Sequence, residues 1–113
     1  MSDPAHMLAG DDKRRSAIGD LLDAGLETEA FPRCDTDAQV REIVNRLQLL
    51  PLDDMRGRLV VAGVTGHTVA HPEAEIDQPC ETCMYYLVHR KYCELPELDI
   101  PVEPHWSCRL WRI

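Results

Sequence analysis

The apolar positions divide the chain into a helical first half and a tail without periodicity. Ile18, Leu21, Leu22 and Leu26 recur at three- and four-residue steps, which places them on one face of an amphipathic helix over about residues 12–26. The acidic start at Asp11 and Asp12 suits the helix dipole, Gly25 stands near the end, and Phe31-Pro32 opens a break. Val40, Ile43, Val44, Leu47 and Leu50 repeat in the same way. With Asp35 or Thr36 as cap they predict a second helix over residues 37–50, which Pro51 ends.

Two helices joined in this manner predict a helical hairpin, whose leucine stripe packs on a following sheet or on a partner. After an acidic turn at Asp53-Asp54, the segment Arg58–Val64 predicts a strand, and residues 66–70 predict a second short one. Residues 1–10 carry no pattern and are expected as a loose arm, while the acidic, proline-bounded stretch 71–79 is the expected internal boundary. The expected fold class is therefore small α+β. Residues 1–75 supply the helical hairpin and short β-strands, serving as a docking part, and residues 76–113 form an irregular module with little regular structure.

Charge narrows the partners. The formal net charge is −8, and it is carried by the first part, with 15 acidic against eight basic residues before Cys80 and five against four from it onward. Such a balance argues against phosphate backbones and anionic membrane surfaces, so neither nucleic acid binding nor membrane insertion is expected. No apolar stretch approaches the length of a membrane span. The Arg14-Arg15 pair precedes a segment interrupted by Asp20 and Asp23, which spoils an export signal, and a cytoplasmic location is expected.

Chemistry concentrates in the tail. Four of the five cysteines, Cys80, Cys83, Cys93 and Cys108, follow the spacing C-x2-C-x9-C-x14-C. A C-x2-C turn lets two thiolates face one site while backbone amides point at their sulfurs, and two further cysteines close by complete a four-thiolate set. Three readings of the set stay open on spacing alone. Zinc is common in small proteins with clustered cysteines, although a zinc ribbon usually brings two C-x2-C knuckles and this tail has one. Disulfides are disfavoured in a reducing compartment. An iron–sulfur cluster fits the single knuckle and two isolated cysteines. In each case the module of residues 76–113 is small enough to need a staple.

Particular residues of the tail carry a resemblance. Tyr85-Tyr86 follows the knuckle, Cys93-Glu94-Leu95-Pro96 comes next, and Trp106-Ser107-Cys108 is followed by Trp111. In these positions the tail resembles the high-potential iron–sulfur proteins and their small-subunit relatives. The resemblance covers about a third of the chain and implies one [4Fe–4S] cluster held by Cys80, Cys83, Cys93 and Cys108, with Zn2+ as the alternative. The first 79 residues have no counterpart in the free carriers, so the resemblance points to a compact accessory or electron-transfer subunit of a larger redox or radical enzyme, with that larger protein as partner. Tyr85, Tyr86, Trp106 and Trp111 are the expected aromatic wall, which shields a cluster from water and helps to set its potential. The same bulky side chains would also serve a zinc-centred mini-core.

Other candidate groups stay outside this set. Cys34 stands alone beside Phe31-Pro32-Arg33, as a small buried hydrophobe or idle thiol does. His67, His71, His89 and His105 are not needed to complete a four-cysteine site, although His105 is near enough in sequence to stand behind a ligand. No nucleophile elbow, paired-carboxylate motif or phosphate-cradling glycine loop is present, and a filled four-thiolate site keeps no open position for substrate. An enzyme is not expected.

Overall fold

Three helices precede the cysteine-rich tail in the computed structural model of the protein, which describes residues 4–51, 53–72 and 76–112. Helix α1 (Pro4–Asp23) begins well before the apolar stripe. Residues 4–10, expected as an arm, belong to this helix, since proline suits a first helical position and Ala5, Met7, Leu8 and Ala9 are good helix formers. Helix α2 (Asp37–Gln48) lies where its spacing predicts it. Its start is fixed by a reciprocal cap, in which the Gln39 N–H donates to Thr36 Oγ1 at 3.2 Å and the Thr36 N–H donates to Gln39 Oε1 at 3.0 Å. Such caps contribute about 1 kcal/mol.

The expected strand at 58–64 is instead helix α3 (Met55–Ala62). A short apolar run cannot declare its own secondary structure, and here the two ends decide it. Asp54 Oδ1 accepts the Gly57 N–H at 2.9 Å at the start. At the other end Gly63 adopts the left-handed conformation, φ 67°, and the Val64 N–H reaches back to Leu59 O at 3.0 Å. The second expected strand, 66–70, is reduced to an isolated bridge between Ala70 and Asp77, with another between Thr65 and Ser107.

The tail holds a 3-10 turn at Cys80–Thr82 and three very short antiparallel strands: β1 (Tyr86–Leu87), β2 (Tyr92–Cys93) and β3 (Ile100–Pro101). They lie in the order β1-β2-β3, with Tyr86 opposite Cys93 and Cys93 opposite Ile100. The described residues thus form a small α+β fold.

The expected pairing of the first two helices is not what packs them. Helix α1 lies against β3 and α2 against α3. The linker after α1 explains the change, because it is bonded away from α1 and onto α3 and the chain end. The Glu29 N–H donates to Val60 O at 2.9 Å, Thr28 Oγ1 to Val64 O at 2.9 Å, and the Cys34 N–H to Arg109 O at 3.1 Å. Arg15 ties α1 to the tail, donating to Val102 O, Arg90 O and Lys91 O at 3.3, 3.0 and 2.8 Å. Asp11, also buried, pairs with Arg90 at 2.6 Å. Ile18, Leu59, Val64, Leu98, Ile100 and Val102, drawn from helices and tail alike, are almost wholly buried and share one hydrophobic cluster with Cys80, Cys93 and Cys108.

Gly63 gives the fold its sharpest test. A Cβ there would stand 2.3 Å from Glu29 O, in addition to the left-handed φ. Gly63→Ala is expected to lower stability in urea unfolding by at least about 2 kcal/mol. Gly10→Ala, in helix α1 with nothing within 4 Å of the added atom, is expected to raise it by up to about 1 kcal/mol. Equal effects of the two substitutions would contradict the α3 terminus described here.

Candidate metal centre

Cys80, Cys83, Cys93 and Cys108 reach a single recess from separate stretches of chain. Cys80 opens the 3-10 turn, held by its N–H to Trp106 O at 2.6 Å, and the Cys83 N–H closes the knuckle onto Cys80 O at 2.9 Å. Cys93 comes from β2. Cys108 is placed by its neighbours, since Ser107 exchanges bonds with Thr65 and the Arg109 N–H donates to Ala62 O at 3.0 Å. The four cysteines line one recess, whose remaining wall is Val64, Tyr86, Leu98, Val102 and Trp111. Three of the four are buried and Cys83 is half-buried, and none is joined in a disulfide.

Burial governs the electrostatics of three of these cysteines. Burial pushes Cys80 well above the usual thiol range, and charge on Cys108, Cys93 or Cys83 would push it further. Cys108 is pushed up to about 12, again by burial first and then by Cys83. Cys93 is raised by burial and by Cys108, against a backbone hydrogen bond from Leu95 that favours its thiolate. Leu110 makes the same contact to Cys108. Each of these amides lies two residues after its cysteine, the arrangement that steadies a ligating sulfur. Four thiolates cannot be gathered here without a cation to hold them, because a metal ion deprotonates its thiols outright.

Among the described residues, no three His, Cys, Asp or Glu side chains are grouped closely enough to hold one metal ion. With Zn–S bonds of about 2.3 Å, four ligands of a single zinc would stand within about 4 Å of one another. The four cysteines share the wall of one recess, and four thiols in one recess are a donor set that suits a lone zinc or an iron–sulfur cluster alike. A second observation agrees with an anionic occupant. Arg33 is buried behind Cys108, donating to its carbonyl at 2.7 Å, and it has no carboxylate in an ion pair among the described residues.

Of the four aromatic residues expected around the site, Tyr86 and Trp111 line the recess. Trp111 is clipped over the knuckle by its Nε1–H, 3.0 Å from both Pro79 O and Thr82 Oγ1. Tyr85 is half-buried outside the lining, and Trp106 is buried towards α1, with its ring facing Gly19. Trp106 positions the knuckle through its backbone carbonyl rather than its ring. Val64, Leu98 and Val102, three aliphatic walls, were not legible as such, nor was Arg33. Cys34 lines a different groove with Arg33, Arg46 and Arg109. None of His67, His71, His89 or His105 lines the recess; His71 instead contacts Asp35 and His105 is exposed. No protein-family model matches the chain, and neither does any curated protein or solved structure.

Serine substitution separates the four converging cysteines from Cys34. Each of Cys80→Ser, Cys83→Ser, Cys93→Ser and Cys108→Ser is expected to weaken metal retention by more than about tenfold, while Cys34→Ser retains the metal of the parent chain. Metal content after gel filtration reads this directly. Loss in Cys34→Ser with full retention in one of the other four would contradict the proposed ligand set.

Proposed function

We propose that this chain is a small iron–sulfur protein that holds one [4Fe–4S] cluster on Cys80, Cys83, Cys93 and Cys108 and serves as an accessory or electron-transfer subunit of a larger enzyme. The observation that carries this reading is the convergence of four thiols, from three separate stretches of the tail, on one shared, largely apolar recess. The resemblance of the tail to the high-potential iron–sulfur proteins supports it.

When bound, such a cluster supplies a one-electron donor and acceptor. The protein's own part is to hold and shelter it. Val64, Leu98 and Val102 keep water from the inner wall, and Trp111 covers the knuckle from the outer side. The Leu95 and Leu110 amides stabilise charge on two of the sulfurs. Such hydrogen bonds and burial are the protein's levers on cluster potential. Cys83, the least sheltered ligand, is followed by Met84, which is 56% exposed, and Val88 nearby is 75% exposed. That edge is where an electron would have the shortest way out, and its apolar surface suits contact with another protein.

Anaerobic isolation of the full chain from cells that make it tests the reading. About four irons and four acid-labile sulfides per chain, with a brown colour, are expected, together with a larger protein in fixed ratio. One zinc in a colourless chain would replace the cluster by a zinc-stapled interaction module, and a lone 12.9 kDa species carrying iron would leave a carrier in place of a subunit.

A further inference from the structure

Three arginines are buried in this fold, and two of them have an anion. Arg15 pairs with Asp12 at 2.6 Å, and Arg109 lies 3.6 Å from Glu29 Oε1, although its Nη2 makes no hydrogen bond. Arg33 differs. It is 3% exposed and fully engaged, but each of its acceptors is neutral: Gln78 Oε1 at 2.9 Å, Ala30 O at 3.2 Å, Ser107 Oγ at 2.8 Å and Cys108 O at 2.7 Å. A guanidinium does not shed its proton to escape burial, and an uncompensated buried charge is among the most unfavourable features a fold can carry. Cys108, whose carbonyl accepts from Arg33, is one of the four cysteines that line the recess. An anionic group held on the four cysteines would supply the missing counter-charge.

We infer that Arg33 is the built-in counter-cation of the four-cysteine centre and sets the electron affinity of the cluster held there, an inference that rests on the iron–sulfur reading above. Arg33 reaches the centre from the linker between α1 and α2, so the N-terminal part of the chain delivers a buried positive charge beside Cys108. The neighbouring groups keep that charge in place. Ser107 Oγ accepts from Arg33 and donates to Gln78 O at 2.7 Å, which closes a neutral ring of hydrogen bonds around the guanidinium. Because these acceptors are neutral, the positive charge is not cancelled before it reaches Cys108 and Cys80. A fixed positive charge stabilises the more negative state of its neighbour, so Arg33 favours the reduced form.

Potentiometric titration of the iron-loaded full chain, with dithionite as the one-electron reductant, tests this. Arg33→Met is expected to lower the midpoint, with at least a tenfold fall in the reduced-to-oxidised ratio at fixed potential, equivalent to about 59 mV for one electron. Arg33→Lys retains the charge and is expected to shift the midpoint by less than half as much. Gln78→Glu leaves Arg33 in place but sets a carboxylate against its Nε, and the same downward shift is expected, which keeps the test decisive if Arg33→Met fails to load iron. Loaded Arg33→Met and Gln78→Glu chains with the parent midpoint would overturn the inference and reduce Arg33 to a structural peg, as would a parent chain whose cluster accepts no electron. A parent chain carrying zinc or no metal would instead remove the iron–sulfur reading on which the inference stands.

Discussion

A buried cation without a counter-ion destabilises a small fold, and Arg33, buried beside Cys108, is the constraint that the proposed centre would answer. Burial raises Cys80, Cys93 and Cys108 above the ordinary thiol range, while the adjacent Arg33 is a buried cation. Ionising the thiols in the presence of a cationic metal group reverses that imbalance, since it gives the guanidinium its anion and the sulfurs their cation. Local choices in the tail agree with this end state. The amides of Leu95 and Leu110 point to sulfur, and the wall opposite is hydrocarbon.

The frame that carries the centre has little regular structure in its tail. Strands of two residues each contribute few ladder bonds, and buried arginines supply the missing cross-links. Arg15 donates to the carbonyls of Val102, Arg90 and Lys91, Arg33 to those of Ala30 and Cys108, and Arg109 to that of Val61. Five of these six acceptors lie far along the chain from their donor; Ala30 is the local exception. The guanidinium's fork of donors lets one side chain satisfy several carbonyls that no strand pairs. Helix α1, the linker, α3 and the tail are consequently held as neighbours around one hydrophobic cluster.

What could be read from the sequence follows the range of the interactions involved. Helix α2 was legible because its cap, Thr36 with Gln39, and its apolar repeat are local. The spacing marks the four cysteines as one set because the knuckle is local and the other two have no competing role, and all four line one recess. Helix α3 was misread because Leu59-Val60-Val61 suits a strand equally well, and the deciding bonds come from Asp54 and from the left-handed Gly63. The hairpin failed for a long-range reason, since the linker is bonded to α3 and the chain end. Arg33 in Phe-Pro-Arg-Cys carries no signal of its destination, because the groups around it, Gln78, Ser107 and Cys108, lie at least 45 residues away in sequence. Trp106 looked like a pocket wall and serves through its carbonyl, a distinction that residue type cannot express.

The central claim is that the recess holds several metal ions bridged by sulfide, each bound by one cysteine. X-ray absorption at the iron and zinc edges of the anaerobically isolated chain addresses it most directly, because it reads the number and kind of neighbours around the metal. The account predicts absorption at the iron edge, a first shell of sulfur and a second shell of iron. A zinc edge with four sulfur neighbours and no second metal shell would contradict it.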